Sequence, residues 1–288
     1  MSDFVPKYLK YAGSKSRILP EIIELITDCS EQYKTSDGKL KRFVEPFFGS
    51  GVVGMNIEAQ EYIFSDSNMD IINCHRCVIQ NPERVIELCE ELWVGGYGVY
   101  YDVRERFRKH TRGESNFLRA AMFIYLNRFG FNGMVRYNLS GGFNVPVGKP
   151  SGKNSPQIPV EEIMSFGNHV ALSSLMKNNH DFSEIMLFKS HEHTTMYCDP
   201  PYVNIGNKGE IKYTEGGFNL DDQERLAKAA ESSRFNGTRV LISNHDLPVT
   251  RELYKYANRI VEIEAFRSIS SKGGTRGKVK EIVAIYEN

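Results

Sequence analysis

The chain has 288 residues, and its 36 Lys and Arg balance 36 Asp and Glu, so the formal net charge is zero. With 41% hydrophobic and 25% charged residues, the composition is that of a globular protein large enough for one domain carrying an insertion. No apolar run approaches the length of a membrane span, and the start, MSDFVPKYLKYAG, lacks a hydrophobic signal core, so we expect a cytoplasmic protein.

The first predicted strand, RFVEPFF (42–48), is a nearly continuous apolar run that leads into Gly49-Ser-Gly51 and an apparent helix. Glycines let a ligand approach the backbone closely, and the amides of a following helix point toward it. This turn is therefore a candidate site for a nucleotide-like ligand, although many such turns have no ligand.

The second predicted strand, YIFSDSN (62–68), ends at Asp66, 15 residues beyond Gly51. An acid at the end of a second strand commonly accepts hydrogen bonds from the hydroxyls of a ribose. Capping of the following segment is the alternative role for Asp66.

The five cysteines are odd in number and scattered, which argues against a disulfide framework. Cys74-His-Arg-Cys77 has the spacing of half a zinc site, but no second pair accompanies it. Two thiols on one helical face are the preferred interpretation, and we expect no metal.

The middle of the chain has a different composition. SNFLRAAMFIYLNRF (115–129) predicts an apolar helix capped by Ser115, and residues 130–159 are rich in Gly, Asn, Pro and Ser. Gly141-Gly142 predicts a β-hairpin there. Residues 76–164 are therefore predicted to form a mostly helical insertion in a core made of residues 1–75 and 165–288.

Positive charge is concentrated in and after this insertion. Residues 100–153 contain ten Lys or Arg and three acids, a formal +7, and Arg267 to Lys280 contains five cations and no acid. Such patches suit a polyanionic partner, but a solvated face balanced by acids elsewhere fits equally well.

The C-terminal half alternates predicted strands and helices. TTMYC (194–198), RVLISN (239–244) and EIVAIYE (281–287) predict strands, and LDDQERLAKAAESSRF (220–235) predicts a helix capped by Asp221 or Asp222. This alternation is typical of an α/β fold with a mainly parallel sheet.

MYCDPPY (196–202) places an acid, two prolines and a tyrosine where a strand must stop. The Asp199 carboxylate and the Pro200 carbonyl suit the two N–H bonds of adenine's amine, and accepting both localises its lone pair toward a sulfonium methyl. Tyr202 offers a face for a base that has left the duplex. A turn with an exposed acid is the alternative.

Taken in order, FVEPFFGSG, SDSN and CDPPY resemble the S-adenosylmethionine-dependent DNA adenine-N6 methyltransferases of the Dam type. The resemblance extends along nearly the whole chain through KYAGSKSRIL (10–19), LNRFGFNGMVRYN (126–138), FNVPVGK (143–149), LISNHD (241–246) and RSISSKGGTRGKV (267–279). It implies a Rossmann-like methyltransferase core and a target-recognition role for the insertion.

The resemblance also implies S-adenosylmethionine as the cofactor, without a metal, and a catalytic set of Asp199, Pro200 and Tyr202. Tyr11 stands where the family usually has Trp, so stacking is retained. The residues that match family positions at the cofactor are Tyr11, Lys15, Phe47, Gly49, Gly51, Asp66, Asp181, Phe182 and Asp199.

The DNA-facing positions implied by the resemblance lie mainly in the insertion. Arg136 matches an arginine that reads guanine through O6 and N7, and Phe131 matches an aromatic wedge that is often Tyr. Met134 replaces a common Leu, and Lys149 stands where some relatives have the more selective Arg. Burial of Phe131 and Met134 in a small core is the alternative. The full set is Lys10, Arg128, Phe131, Asn132, Met134, Arg136 and Lys149.

The implied activity is methyl transfer to N6 of an adenine flipped out of double-stranded DNA, with GATC as the site. Cytosine N4, RNA or a protein glutamine are alternative substrates, although related enzymes of those kinds usually have Ser or Asn in place of Asp199. A non-catalytic DNA-binding relative is a further alternative, against which the intact Asp66 and DPPY argue. We expect no membrane association and no obligate protein partner.

Overall fold

A computed structural model describes residues 4, 7–11, 15–110, 116–149, 155–169, 175, 181–205, 211–212, 218–266 and 278–288. None of the helices in these ranges is long and apolar enough to cross a membrane. The α-helices are α1 (Leu19–Thr27), α2 (Met69–Gln80), α3 (Pro82–Trp93), α4 (Tyr100–Lys109), α5 (Phe117–Phe129), α6 (Val160–His169), α7 (Phe182–Phe188), α8 (Leu220–Phe235) and α9 (Pro248–Leu253). The strands are β1 (Leu40–Glu45), β2 (Ala59–Phe64), β3 (Thr194–Cys198), β4 (Asn204–Ile205), β5 (Ile211–Lys212), β6 (Arg239–His245), β7 (Arg259–Phe266) and β8 (Lys278–Tyr286).

A six-stranded sheet has the order β2-β1-β3-β6-β8-β7. The first four strands are parallel, with Val44 of β1 opposite Ile63 of β2 and Met196 of β3. All five residues of β3 are buried, as expected for a strand covered on both faces. The predicted α/β fold with a mainly parallel sheet is confirmed, and β8 adds antiparallel pairing to both β6 and β7.

The chain divides into two compact units that are interleaved along the sequence. Met1–Ser14, Gly49–Asn56 and Asn68–Asn179 form the first, which we call the helical unit. Lys15–Phe48, Ile57–Ser67 and His180–Asn288 form the second, the sheet unit, which contains the six strands. The predicted insertion, 76–164, falls within the helical unit by residue number.

Helix α5 is the core of the helical unit. Its side chains are buried without interruption from Arg119 to Asn127, so apolar neighbours are needed on every side. The buried Arg119 guanidinium donates to Asp70 of α2 at 2.7 and 3.1 Å and to the Phe107 carbonyl of α4 at 2.7 Å, which ties three helices together. The cap of α5 is Asn116, because its side chain accepts from the Arg119 amide; the predicted cap Ser115 lies outside the described residues.

A chain reversal follows α5 at the predicted position. The Gly141 amide donates to the Asn138 carbonyl at 2.8 Å, and Gly141 has φ +76°, which glycine adopts without strain. Single bridges join Tyr137 to Phe143 and Gly130 to Val147, so the arms of the hairpin pair only locally.

Helix α8 covers the predicted residues, but the prediction for its cap is wrong. Asn219, one position earlier, accepts from the Asp222 amide at 3.1 Å. Asp222 returns the contact by accepting from the Asn219 amide at 3.0 Å. This reciprocal pair places Asp222 in the third helical position and makes Asn219 the cap.

The two cysteines with half-zinc spacing are buried in α2. The Cys74 thiol points toward the Ala120 carbonyl at 3.9 Å, and the Cys77 thiol toward Asn73 Oδ1 at 3.7 Å. Over the described ranges, no group of three His, Cys, Asp or Glu side chains is arranged to hold a metal ion.

Candidate active site

Three site residues predicted from sequence lie just beyond the carboxyl ends of adjacent parallel strands. Phe47 follows β1, Asp66 follows β2, and Asp199 follows β3 directly. Since β1 lies between β2 and β3 in the sheet, the chain order reverses there. Ligands of open α/β sheets bind at such a reversal, outside the carboxyl ends of the strands.

Asp199 forms an ion pair with Lys15, from a 3₁₀ turn that precedes α1. The Lys15 ammonium lies 2.8 Å from Asp199 Oδ1, and the side chains are 4% and 22% exposed respectively. Burial raises the pKa of the Asp199 carboxyl above its usual value, and the Lys15 cation opposes that shift. The pair therefore presents an oriented carboxylate that stays partly accessible, as an acceptor for an amine requires.

The segment after Asp199 has left the sheet, so its backbone needs other partners. The Pro201 carbonyl accepts from Gln223 of α8 at 2.8 Å. The Val203 amide donates to Asn244 Oδ1 at 3.1 Å, and the Val203 carbonyl accepts from His245 Nδ1 at 2.8 Å. Side chains from α8 and β6 thus hold the Pro-Pro-Tyr turn.

The half-buried ring of Tyr202 contacts residues from three other segments of the sheet unit. The Lys15 ammonium lies 4.5 Å from the ring centroid, within range of a cation–π contact. The His245 ring meets it edge-on at 4.8 Å, and the Tyr202 hydroxyl donates to Glu281 Oε2 of β8 at 2.9 Å. Tyr202 is therefore oriented by residues far from it in sequence.

An aromatic cluster lies in the same unit as Asp66 and Asp199. The rings of Phe47 and Phe182 are stacked with centroids 5.3 Å apart, and Phe218 lies 5.8 and 5.4 Å from them. Phe47 and Phe218 are only half-buried, so apolar ring surface is left accessible. Such a surface suits the flat face of a purine.

Asp181, predicted to frame the cofactor's adenine, caps α7. Its carboxylate accepts from the Ser183 amide at 3.0 Å and from Arg225 at 2.5 Å. Burial raises the pKa of the Asp181 carboxyl, but the bonds from Ser183 and Arg225 outweigh it and the net shift is downward. The structure thus gives Asp181 partners of its own beside Phe182.

Three predicted cofactor residues, Tyr11, Gly49 and Gly51, belong to the helical unit. Gly49 and Gly51 have φ +50° and +74°, which explains the glycines. A Cβ atom on Gly49 would lie 3.2 Å from Cε1 of Tyr11, so the tyrosine ring packs directly on this backbone.

A histidine that sequence reasoning did not select holds the same turn. His75 Nε2 donates to the Gly49 carbonyl at 2.8 Å, and the Tyr8 hydroxyl donates to His75 Nδ1 at 2.7 Å. His75 is fully buried, and burial lowers its pKa to about 4. The neutral ring with its proton on Nε2 satisfies both contacts at once.

Four of the seven predicted DNA-facing residues are gathered around Asn127 of α5. The Asn127 side chain bonds both backbone groups of Lys10 at 2.8 Å and the Gly133 carbonyl at 3.0 Å. This fixes Lys10 beside the 3₁₀ turn Phe131–Gly133, which Met134 follows. Phe131 is 43% exposed, which is unlike a core residue.

The remaining three DNA-facing residues differ in their surroundings. Arg136 is half-buried, and its Nε donates to Asn144 Oδ1 at 2.9 Å, whereas Lys149 is exposed. Arg128 is directed to the protein itself, donating to the Tyr8 carbonyl at 2.5 Å, and burial lowers its pKa. The predicted phosphate-facing loop, residues 267–277 of RSISSKGGTRGKV, lies outside the described residues.

Sequence reasoning missed the residues that hold the predicted ones in place. A polar residue near the end of a buried strand, as Asn244 is in β6, was the available signal. The others have no local pattern, because each acts across many residues of sequence; they are His75, Asn127, Phe218, Gln223 and Glu281.

Comparison with known proteins identifies the family of this chain. A family model described as D12 class N6 adenine-specific DNA methyltransferase matches residues 11–269. The DNA adenine methylase of Escherichia coli K12 is 36% identical over 284 residues, which cover 97% of this chain and 95% of the relative. Those of Vibrio cholerae O1 El Tor and Haemophilus influenzae are 33% and 35% identical over 97% of this chain, covering 95% and 93% of their own lengths. The chain therefore belongs to the D12 class of N6 adenine-specific DNA methyltransferases.

Proposed function

We propose that this methyltransferase transfers a methyl group from S-adenosylmethionine to N6 of an adenine that is flipped out of double-stranded DNA, within GATC. The observation that carries the proposal is Asp199, paired with Lys15 at the reversal of the sheet and followed by a turn that α8 and β6 hold. In this geometry one rigid backbone bears the carboxylate, the Pro200 carbonyl and the Tyr202 ring.

The residues of this turn have distinct tasks in the proposed reaction. The Asp199 carboxylate accepts one N–H of the target amine and the Pro200 carbonyl accepts the other. The lone pair of the nitrogen then points away from these two acceptors and toward the methyl donor. Tyr202 stacks on the base and so offsets part of the stacking lost when it leaves the duplex. Positioning of the amine is the main source of rate.

The residues present fit S-adenosylmethionine, which supplies an electrophilic methyl group on its sulfonium when bound. Asp66 is a carboxylate only 8% exposed that follows β2, where a ribose diol is commonly bound. The rings of Phe47, Phe182 and Phe218 provide an apolar surface for the adenine ring. Tyr11, Gly49 and Gly51 are assigned to the cofactor by the sequence resemblance.

The helical unit is proposed to read the DNA. Arg136, oriented by Asn144, suits paired hydrogen bonds to a guanine, and Phe131 is an exposed aromatic side chain that suits insertion into the base stack. GATC and double-stranded DNA rest on the resemblance of residues 126–138 and 143–149 to the family's DNA-reading segments. The proposed place of action is the cytoplasm of a bacterial or phage-infected cell.

The test is transfer of labelled methyl groups to DNA by the wild type, Asp199→Ala and the control Asp246→Ala. Asp246 is an acid engaged by Arg251 at 2.6 and 3.0 Å, so this control removes a carboxylate that has no role in the proposed reaction. We expect Asp199→Ala to lose at least about a hundredfold in kcat and Asp246→Ala to keep its activity. Equal label in wild type and Asp199→Ala would remove Asp199 from the mechanism.

The product identifies the substrate. We expect N6-methyladenine on nucleoside analysis, and one short methylated palindrome when DNA from an expressing, methylation-free host is sequenced. N4-methylcytosine, labelled RNA or labelled protein would each select another substrate. Cofactor binding in calorimetry without transfer to any of them would select the non-catalytic alternative.

A further inference from the structure

The Tyr202 hydroxyl donates to Glu281, an acceptor from a distant strand. The donor and acceptor are 2.9 Å apart and come from segments 79 residues apart in sequence. Glu281 lies in β8, opposite His245 of β6 in antiparallel register. Two neighbouring strands therefore contact the tyrosine, one at its hydroxyl and the other at its ring edge.

The contacts differ in how strongly they fix the ring. The edge-on contact with His245 and the Lys15 contact constrain the position of the ring, but neither is a short directional bond. The hydroxyl bond to Glu281 is short and directional, and its acceptor belongs to a strand paired on both sides. The Asp199 carboxylate also lies beside this hydroxyl, but it belongs to the same segment as Tyr202. The bond to Glu281 is thus the contact best suited to fix the tilt of the ring relative to the sheet.

The hydroxyl remains a donor at working pH. Burial raises the pKa of Tyr202 well above its ordinary value, and the neighbouring Asp199 and Glu281 carboxylates raise it further. A protonated hydroxyl facing an acidic acceptor makes a charge-assisted bond, the stronger kind.

We propose that Glu281 is a positioning residue, which accepts the Tyr202 hydroxyl so that the ring is presented for stacking on the target adenine. The stacking role of Tyr202 rests on the proposed function; the effect of Glu281 on the ring does not. A stacked base follows the tilt of the ring beneath it, and errors of about 1 Å at a reacting atom cost on the order of a hundredfold in rate.

The chain offers a rescue variant and a matched control. Glu281→Leu removes the acceptor, whereas Glu281→Gln keeps a carbonyl oxygen at similar reach. Glu262→Leu makes the same change on the neighbouring strand β7, where the carboxylate is exposed and bonds Arg251 and Lys280.

The first measurement is structural and needs no substrate. Crystal structures of the wild type and Glu281→Leu, without DNA, should show the Tyr202 ring turned away from its wild-type position only in the variant. An unchanged ring in Glu281→Leu would overturn the proposal, whatever the enzyme acts on.

The second measurement is a double-mutant cycle with Tyr202→Phe, read as kcat and as KM for the cofactor. We expect Glu281→Leu to lower kcat about tenfold, or about 1.4 kcal/mol, with KM for the cofactor unchanged. Glu281→Gln and Glu262→Leu should remain close to wild type, and Glu281→Leu should add nothing in the Tyr202→Phe background. An equal loss in both backgrounds, or no loss in either, would contradict the role of Glu281; the proposed function would stand as long as the wild type methylates adenine. If the wild type methylates no adenine, the proposed function is contradicted. The ring position in the crystals then decides the role of Glu281.

Discussion

His75 shows how a buried side chain contributes to stability only while it stays neutral. Its pKa falls from an ordinary 6.5 to about 4 on folding, because burial penalises the imidazolium. As pH falls below 6.5 the unfolded chain takes up a proton first, so stability that is present above pH 6.5 is lost toward pH 4.

We expect the free energy of unfolding to fall by about 2 kcal/mol between pH 7 and pH 5 through His75 alone. Since glutamine does not titrate, the free energy of unfolding of His75→Gln should differ between pH 7 and pH 5 by about 2 kcal/mol less than that of the wild type. Urea denaturation at both pH values measures this difference. His169→Gln is the control, since His169 is exposed at the end of α6 in the same unit. Parallel profiles for wild type and His75→Gln would refute the assignment.

At the scale of single residues, the sequence indicated the residues that are proposed to carry the chemistry and missed the residues that contact them in the fold. Asp199, Pro200 and Tyr202 form a local string with an evident physical purpose. Gln223 and Glu281 reach the same turn from 22 and 79 residues away, and their partners are backbone or side-chain atoms that only the fold brings near. A one-dimensional pattern contains no such distance.

Arg239, at the start of β6, joins the sheet to the end of α1. It is fully buried, donates to the carbonyls of Leu25, Ile26 and Asp28 at 2.9 to 3.0 Å, and pairs with Glu287 at 2.6 Å. The last carbonyls of a helix have no partner within it, so this guanidinium satisfies groups that burial would otherwise leave unpaired.

Arg239→Met should therefore lower the free energy of unfolding by about 3 kcal/mol, since three carbonyls lose a buried donor and the half-buried Glu287 carboxylate loses its cation. The matched control is Arg259→Met, because Arg259 faces Asp28 at 3.6 Å with 45% of its side chain exposed. That exposed pair should cost less than about 1 kcal/mol. Thermal or urea unfolding compares the two, and equal losses would contradict the capping role of Arg239.

At the scale of elements, predictability followed burial. Strand β3 and helix α8 have the predicted bounds, since β3 is a short apolar run buried on both faces and α8 is a long run of good helix formers. Strand β7 has no such run, because Glu262 and Glu264 interrupt its apolar residues. The antiparallel placement of β8 between β6 and β7 depends on pairing, which periodicity does not specify.

At the scale of the whole molecule, neutrality conceals an uneven distribution of charge. Residues 100–153 carry a formal +7 while the complete chain carries none. If that stretch faces DNA, as proposed, the logarithm of the binding constant should fall linearly with the logarithm of the salt concentration, because binding releases counterions from the phosphates.

Lys149→Ala and Arg136→Ala should separate the two kinds of contact. Loss of the exposed Lys149 should weaken binding to all duplexes alike and reduce the salt slope by about 1. Loss of Arg136 should cost about 1–3 kcal/mol on GATC DNA and relax discrimination at one guanine. Binding titrations of matched and mismatched duplexes at several salt concentrations measure both effects. If the two variants showed the same salt slope and the same discrimination between duplexes, the separate roles of Lys149 and Arg136 would be refuted.

Within the sheet, β7 pairs with β8, and β8 lies between β7 and β6. A ribosome releases β7 before β8, so a nascent polypeptide carries both flanking strands with the nine-residue β8 still unmade. The unpaired backbone N–H and C=O groups of such edge strands can pair with strands of other chains. A chain whose translation stalls after residue 266 should therefore tend to aggregate. Synthesis of β8 is thus needed to keep the chain from aggregating as well as to complete the sheet.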